Sequence, residues 1–463
     1  MVPLTKLCSL SLSQGTFQAR FKQANVVPIF KKGDVKDPRN FRSVSLIPLF
    51  GKVLEKVVYL QLVSHVTPVM SDFQHGFVSK RSCATNLASL LSTAWDSISL
   101  GFQTDCIYTD YTAAFQSVNH SLLIYKLEKS HNISGKVLKW FASYLKDRQQ
   151  RVIVGGKCSE CCQVTSGTPE GGLLSALLFA MYINDLTSEI SSQCLMVADD
   201  VKLFRKITCT ADAAALQADI QRLHKWSCSW RLHLNPTKCK SFRITLKSKP
   251  LKTVYKIGNV NLENVDFIRD LGVILDSKLT FGPHVDSTVK KANKALGFLI
   301  RSFQTSNARG FLNRSAVVTT YFNHVRSIME YCSVIWGGAA AVHTKRLDTM
   351  QHKFLLWLNA RLCRCQDRLL LSCAERFCAP PVRHHVRQCL VLHLLGGRAD
   401  EHHLSLVTWY QTSQRAGQGP PKGCAYGYGF TWFAHPRLTL QHCFQHIRAQ
   451  EHLNLSTRQF RNL

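Results

Sequence analysis

Leu195-Met196-Val197-Ala198-Asp199-Asp200-Val201-Lys202-Leu203-Phe204 sets two adjacent acids between two apolar runs. The runs read as strand segments that meet at the acids. A third acid, Asp110, closes another strand-like run, Cys106-Ile107-Tyr108-Thr109. Carboxylates in such apolar surroundings are costly to desolvate and need partners. No basic residue is adjacent to any of the three, and Lys202 is the nearest to the pair. Two readings stay open at this level: solvated turn aspartates, or ligands of divalent ions that balance the charge.

Working outward, the chain alternates strand and helix patterns. Val26–Phe30 reads as a short strand before the turn-rich Lys31-Lys32-Gly33-Asp34. Residues 50–63 carry helical apolar spacing through Val53, Leu54, Val57, Val58, Leu60 and Leu62. Two helical stretches fill 120–148, and Arg151–Val154 enters a turn at Gly155-Gly156. Gly167-Thr168-Pro169-Glu170-Gly171-Gly172 is a loop before an apolar segment, 173–186, read as a buried helix. Residues 211–230 form a helix that stops before Asn235-Pro236. From about residue 276 the pattern is helical, and Gly417–Gly429 reads as loop or linker. The fold class expected is α+β followed by a mainly helical region.

Composition narrows the partner. The 463 residues carry 58 Lys and Arg against 29 Asp and Glu, a net charge of +29, with 45% hydrophobic residues. That apolar share argues against a disordered polyelectrolyte, and the charge favours a polyanionic partner. No stretch of about 18 apolar residues suggests a membrane span, and the first 14 residues lack the basic start of a signal peptide. Residues 1–275 hold +14 (34 basic, 20 acidic), and 276–463 hold +15 (24 and 9). Only 101–200 is slightly acidic, at 8 against 10. Such a stretch inside a basic shell suits carboxylates that hold metal ions near phosphates.

The 18 cysteines are scattered through apolar segments and read as reduced intracellular thiols, not a disulfide framework. Cys363, Cys365, Cys373, Cys378, His384, His385, Cys389 and His393 are zinc-capable types, but their spacing matches no standard zinc pattern. Cys158 and Cys161 alone have C-x2-C spacing.

The order of landmarks is more specific than any one of them. Lys31-Lys32-Gly33-Asp34 is followed by Asn40-Phe41-Arg42, Gln74-His75-Gly76-Phe77 and Arg81-Ser82. Asp110-Tyr111 with Ala114-Phe115 comes next, then the Gly167 loop, Tyr182–Leu186, Ala198-Asp199-Asp200, Trp226 with Trp230, Asn235–Lys238 and Leu271-Gly272-Val273. This series resembles the reverse transcriptase of non-LTR retrotransposons, nearest to the jockey-like group, from about Leu10 to Phe281. Glu330–Trp336 anchors a weaker likeness beyond.

The resemblance implies a right-hand polymerase: fingers and palm in 1–275, with an antiparallel palm sheet, a thumb-like helical region in 276–400, and a poorly defined His-rich tail in 401–463. It implies RNA-directed DNA polymerase activity, extending a primer 3′ end on an RNA template with deoxynucleoside triphosphates and two Mg2+ ions, Mn2+ being able to substitute. Asp110, Asp199 and Asp200 are then the metal-binding and catalytic acids, and Lys238 the proposed acid for pyrophosphate. Lys31, Lys32 and Arg42 would grip the triphosphate, with Tyr111 and Phe115 at the sugar. Phe115 would exclude a 2′-hydroxyl. Gly167, Pro169, Glu170 and Gly171 would line the template and primer. Trp226 and Trp230 are expected in the core. A nuclear place of action is implied by the family alone.

Several positions depart from the family pattern. Thr168, Glu170 and Gly172 replace Val, Gln and Ser of the loop, and Ser175-Ala176 replaces Gly-Pro. Ala113 and Gln116 replace Lys and Asp, Val197 replaces an aromatic, and Ser43 replaces Pro. Intact acids favour an active polymerase, whereas this altered surround favours a catalytically impaired nucleic-acid-binding remnant. A two-metal nuclease fits the acids but not the ordered landmarks. The chain reads as a fragment that begins within the fingers, without the endonuclease of a full element protein.

Overall fold

The computed structural model describes residues 2–305 and 314–362, in two compact units, residues 1–266 and 267–463. The Cys/His group at 363–393, the Gly/Pro-rich 417–429 and the His-rich tail lie outside the described residues.

The first unit opens with α1 (Val2–Gln14), β1 (Gln23–Phe30), β2 (Phe41–Leu46), α2 (Leu49–Val66) and α3 (Cys83–Ser99). Then come β3 (Gln103–Thr109), α4 (His120–Lys129), α5 (Gly135–Leu145), β4 (Arg148–Val154), β5 (Lys157–Cys158) and β6 (Cys162–Val164). It continues through α6 (Ser175–Tyr182), β7 (Gln193–Val197), β8 (Asp200–Ile207), α7 (Thr210–Ser229), β9 (Lys240–Ile244), β10 (Lys256–Ile257), β11 (Val260–Asn261) and β12 (Glu263–Val265).

Two sheets organise these elements. In the first, β1 pairs antiparallel with β2 and parallel with β4, which also carries β5 and β6. The second sheet runs β12-β9-β3-β8-β7. Its four strands from β9 to β7 are antiparallel, as expected for the palm, and only edge strand β12 joins parallel. β3 lies in the middle and is buried along nearly its whole length. Alternation splits its side chains between two layers. Ile107 opposes Leu203, and both belong to one core with Leu216, Ile220 and Leu223 of α7. Cys106, flanked by Phe204 and Phe242 in register, faces the other way. That packing on both sides fixes where β3 ends, and therefore where Asp110 stands.

α3 begins at a reciprocal cap in which the Ser82 hydroxyl accepts from the Thr85 N–H and the Thr85 hydroxyl accepts from the Ser82 N–H. α6 is buried all round, consistent with the apolar 173–186, but is shorter; a 3-10 turn at Asn184–Thr187 follows. Below it Lys126 of α4 is fully buried. Its ammonium donates to the Tyr182 carbonyl at 2.6 Å and to Asp185 at 2.5 Å, and lies 3.6 Å from the Trp230 ring centre. Trp226 and Trp230 thus wall a cation inside the core, which lowers the lysine pKa to about 8 by burial, against the pull of Asp185.

The second unit starts with the hairpin β13 (Phe267–Asp270) and β14 (Val273–Asp276), followed by α8 (Gly282–Thr305) and α9 (Arg314–Tyr321). A π-helical segment (Phe322–Arg326) leads into α10 (Ser327–Glu330), α11 (Ser333–Trp336) and α12 (Ala341–Leu362). At the hairpin turn Gly272 has φ +89°, and a Cβ there would meet the Tyr331 ring at 3.0 Å. Asp276 caps the entry to α8, accepting from the backbone of Lys278, Thr280 and Phe281. A cavity of about 360 Å³ is lined by Arg269, Lys291, His284, Thr288 and Ser327, among others, with no carboxylate in its wall.

Candidate active site

Asp110 follows β3, and the chain beyond it is stitched to the segment before β9. The Asn235 N–H donates to the Asp110 carbonyl at 2.7 Å, and the Thr112 N–H to the His233 carbonyl at 2.9 Å. A turn in which the Lys238 N–H donates to the Asn235 carbonyl brings the Lys238 ammonium 3.3 Å from Asp110 Oδ2. That oxygen is buried and receives no hydrogen bond, so the contact is electrostatic.

β7 and β8 form a hairpin whose last pair is Val197 with Asp200, so Ala198 and Asp199 make a two-residue turn. Ala198 has φ +56°, a conformation that L residues hold only when surroundings enforce it. The enforcement comes from residues 73–76. His75 N–H donates to the Met196 carbonyl at 2.8 Å, and Met196 N–H to that of Phe73 at 2.9 Å. The fully buried Gln74 side chain accepts from the N–H of Gly76 (2.8 Å) and of Ala198 (3.2 Å). A Cβ on Gly76 would sit 2.7 Å from the Ala198 nitrogen. Beneath, Asn86 donates to the Met196 carbonyl.

β3 and β8 are neighbours, paired from Gln103 with Ile207 to Thr109 with Val201, so Asp110 and Asp199 come to one end of the sheet. Burial is the largest cause pushing the Asp199 carboxyl above the usual range. The negative Asp110 adds to it, while the Arg42 guanidinium opposes it. The Asp199 carboxyl thus feels both a like charge and the Arg42 guanidinium. Asp200 opens β8 and is exposed. Among the described residues no group of three His, Cys, Asp or Glu side chains has metal-holding spacing, and Asp110 and Asp199 stand at one end of the sheet with Asp200 next in sequence. Two carboxylates, one with an oxygen that accepts no hydrogen bond and meets only the Lys238 ammonium, are donors of the type that suits a hard divalent ion.

Of the residues expected at the nucleotide, Arg42 on β2 and Lys31 and Lys32 after β1 are exposed. Phe115 is half-buried, its ring stacked on Phe179 of α6 at 4.3 Å and 21°. Tyr111 turns into the core under the site, its hydroxyl without a partner, so only its backbone can face a ligand.

The loop 167–172 uses its glycines for the chain's own packing. A Cβ on Gly167 would meet the Gln116 backbone at 2.9 Å, and one on Gly171 the Ser45 carbonyl at 2.2 Å. Both have positive φ. Pro169 and Glu170 between them are half-buried, and Leu173 N–H donates to Glu55 at 2.6 Å. Glu55, buried on α2 and bonded to the Tyr144 hydroxyl, was invisible as a site residue, although a lone acid beside Leu54 and Val58 was the available signal. Gln74 was legible only as a landmark. Cys158 and Cys161 are exposed free thiols.

Residues 29–297 match the model of the family described as reverse transcriptase (RNA-dependent DNA polymerase). The chain belongs to that family. It is 28% identical over 357 residues to the probable RNA-directed DNA polymerase from transposon BS of Drosophila melanogaster, covering 73% of this chain and 38% of that one. It is 26% identical over 364 residues to the RNA-directed DNA polymerase from mobile element jockey of Drosophila funebris, covering 74% and 38%. The chain thus spans under two fifths of the length of these relatives. Among solved structures, apo telomerase from Candida tropicalis, truncated from its C-terminal domain, aligns with TM-score 0.41 and 10% identity over 60% of this chain and 59% of that one. No helix among the described residues is long and apolar enough to cross a membrane.

Proposed function

We propose that this reverse transcriptase chain is an RNA-directed DNA polymerase that extends a primer on an RNA template. The observation that carries this is the convergence of Asp110 and Asp199 at one end of the sheet, at the ends of adjacent strands. Asp110 and Asp199 would hold the divalent ions, with Asp200 in support. Divalent ions held there, two Mg2+ in this reading, would supply Lewis acidity to the primer hydroxyl and to the departing pyrophosphate. Arg42, with Lys31 and Lys32, binds the triphosphate as a fork and two point charges. Phe115, stacked on Phe179, would present a rigid ring against the sugar and exclude a 2′-hydroxyl. Lys238, whose ammonium lies 3.3 Å from Asp110 Oδ2, would pass a proton to the pyrophosphate oxygen.

The first unit would act as fingers and palm, and the helical second unit as a thumb. In the latter, the carboxylate-free wall around Arg269 and Lys291 suits the phosphates of the primer–template duplex. The impaired-remnant reading rests on the altered residues around the acids, among them Gln116 and Glu170, whereas the acids themselves, Asp110, Asp199 and Asp200, are retained and favour the polymerase. With poly-rA template, oligo-dT primer and Mg2+, the protein incorporates dTTP, and Asp199→Ala abolishes incorporation. Salt-sensitive binding without incorporation, with either Mg2+ or Mn2+, refutes the polymerase reading and leaves the remnant.

A further inference from the structure

Three residues that depart from the family pattern, Ser43, Gln116 and Glu170, touch one another. The Gln116 amide donates to the Ser43 hydroxyl at 3.1 Å and to Glu170 Oε1 at 3.0 Å. The Ser43 hydroxyl donates to Glu170 Oε2 at 3.3 Å. These bonds close a ring in which each carboxylate oxygen is met by one neutral donor. The members are far apart in sequence, separated by 73, 54 and 127 positions.

Each member adjoins a wall of the nucleotide pocket. Ser43 follows Arg42 on β2. Gln116 follows Phe115, after the strand that delivers Asp110. Glu170 precedes Gly171 in the loop before α6. The backbone is locked at the same places: the Ser166 hydroxyl donates to the Gln116 carbonyl at 3.0 Å, and the Thr168 N–H to the Phe115 carbonyl at 2.9 Å. The missing Cβ of Gly171 admits the Ser45 carbonyl. A groove runs alongside, bordered by Ser43, Gln116 and Glu170. A negative charge here would repel a triphosphate if it were free to turn. Fastened by two donors, it is instead a strut.

We infer that Ser43, Gln116 and Glu170 form a polar latch that sets the spacing between Arg42, Phe115 and the 167–172 loop, with Gln116 as the positioning residue, so that the latch governs capture of the incoming nucleotide. The three substitutions are then one compensated set, not independent decay. The inference rests on the polymerase reading. A latch acts on the geometry in which dNTP is bound, so its loss raises KM more than it lowers kcat. A purely structural role would lower the melting temperature without that split.

The test uses the whole chain with primer and template. Gln116→Leu removes both hydrogen bonds of the Gln116 amide, one of them to the charged Glu170, leaving only the Ser43 bond, and should raise the dNTP KM about tenfold with kcat within about twofold. Gln116→Glu places two carboxylates together and should raise KM further. Exchanging the pair, Gln116→Glu with Glu170→Gln, restores a donor facing a carboxylate and should recover KM to within about threefold of the original. Gln116 is exposed, so the variants fold, and thermal melting verifies it. A KM within twofold of the original for Gln116→Leu, or an exchange no better than Gln116→Glu alone, overturns the latch while the polymerase reading stands. A wild-type chain that neither incorporates nor binds dNTP overturns both.

Discussion

Gln74→Met is the sharpest probe of how the catalytic turn is held. Methionine nearly matches glutamine in shape but cannot accept the two hydrogen bonds from Gly76 and Ala198. Leaving two buried N–H groups unpaired costs roughly 1–3 kcal/mol each. Against that, the Gln74 amide nitrogen is itself buried without a partner, and its removal returns about 1–2 kcal/mol. At mid-range these terms leave a net loss of about 2.5 kcal/mol, which for a unit of this size lowers Tm by roughly 5–10 °C. Release of Ala198 from its positive φ also lets Asp199 move, and a displacement near 1 Å is enough to reduce kcat about a hundredfold. Differential scanning fluorimetry and single-turnover dTTP incorporation measure the two effects. A Tm within 1 °C of wild type would refute the energetic argument. A lowered Tm with unchanged kcat would refute the positioning role.

Three further outcomes follow from the same geometry. Lys238→Met removes the cation that competes for Asp110, so Mn2+ should bind the nucleic-acid-free protein about two- to fivefold tighter by titration, as expected when a surface pair worth up to about 1 kcal/mol is lost, while kcat falls. His75 and His284 are held at about 4, chiefly by burial and also by nearby cations. Because the unfolded imidazole takes a proton first, stability falls as pH drops from 6.5 towards 4, by about 2 kcal/mol per histidine between pH 7 and 5 in urea titrations. His75→Asn should flatten its share; an unchanged slope would sink that attribution. Lastly, Arg269→Ala and Lys291→Ala should each reduce the log-log salt slope of duplex binding by about one. Unchanged slopes would remove that cavity from the nucleic-acid path.

The hairpin, the strand before Asp110 and helix α7 were legible because each couples a clean apolar pattern to a turn residue. Val197 and Val201 flank the acids, Thr109 ends β3, and Asn235-Pro236 follows the helix. The shell was not legible, for physical reasons. Gln74 acts through a backbone contact 124 residues away, and Glu55 through one 118 residues away. Neither leaves a local period. β2 and β9 were missed because Phe41–Leu46 and Lys240–Ile244 mix polar and charged residues into short strands. The departures at Ser43, Gln116 and Glu170 were visible singly as losses. Only their proximity shows that they satisfy one another.

The two-residue turn between β7 and β8 has a consequence for inheritance. β8 is zipped on both sides, to β3 through seven pairs and to β7 through five. Adding or removing one residue between 193 and 207 would shift one ladder by about 3.3 Å against the other and turn its side chains to the opposite layer. No neighbouring substitution can reverse that. Related copies should therefore vary freely in lettering around the acids yet keep the lengths 103–110 and 193–207 unchanged. A single in-frame codon gained or lost there would silence a copy more surely than several missense changes.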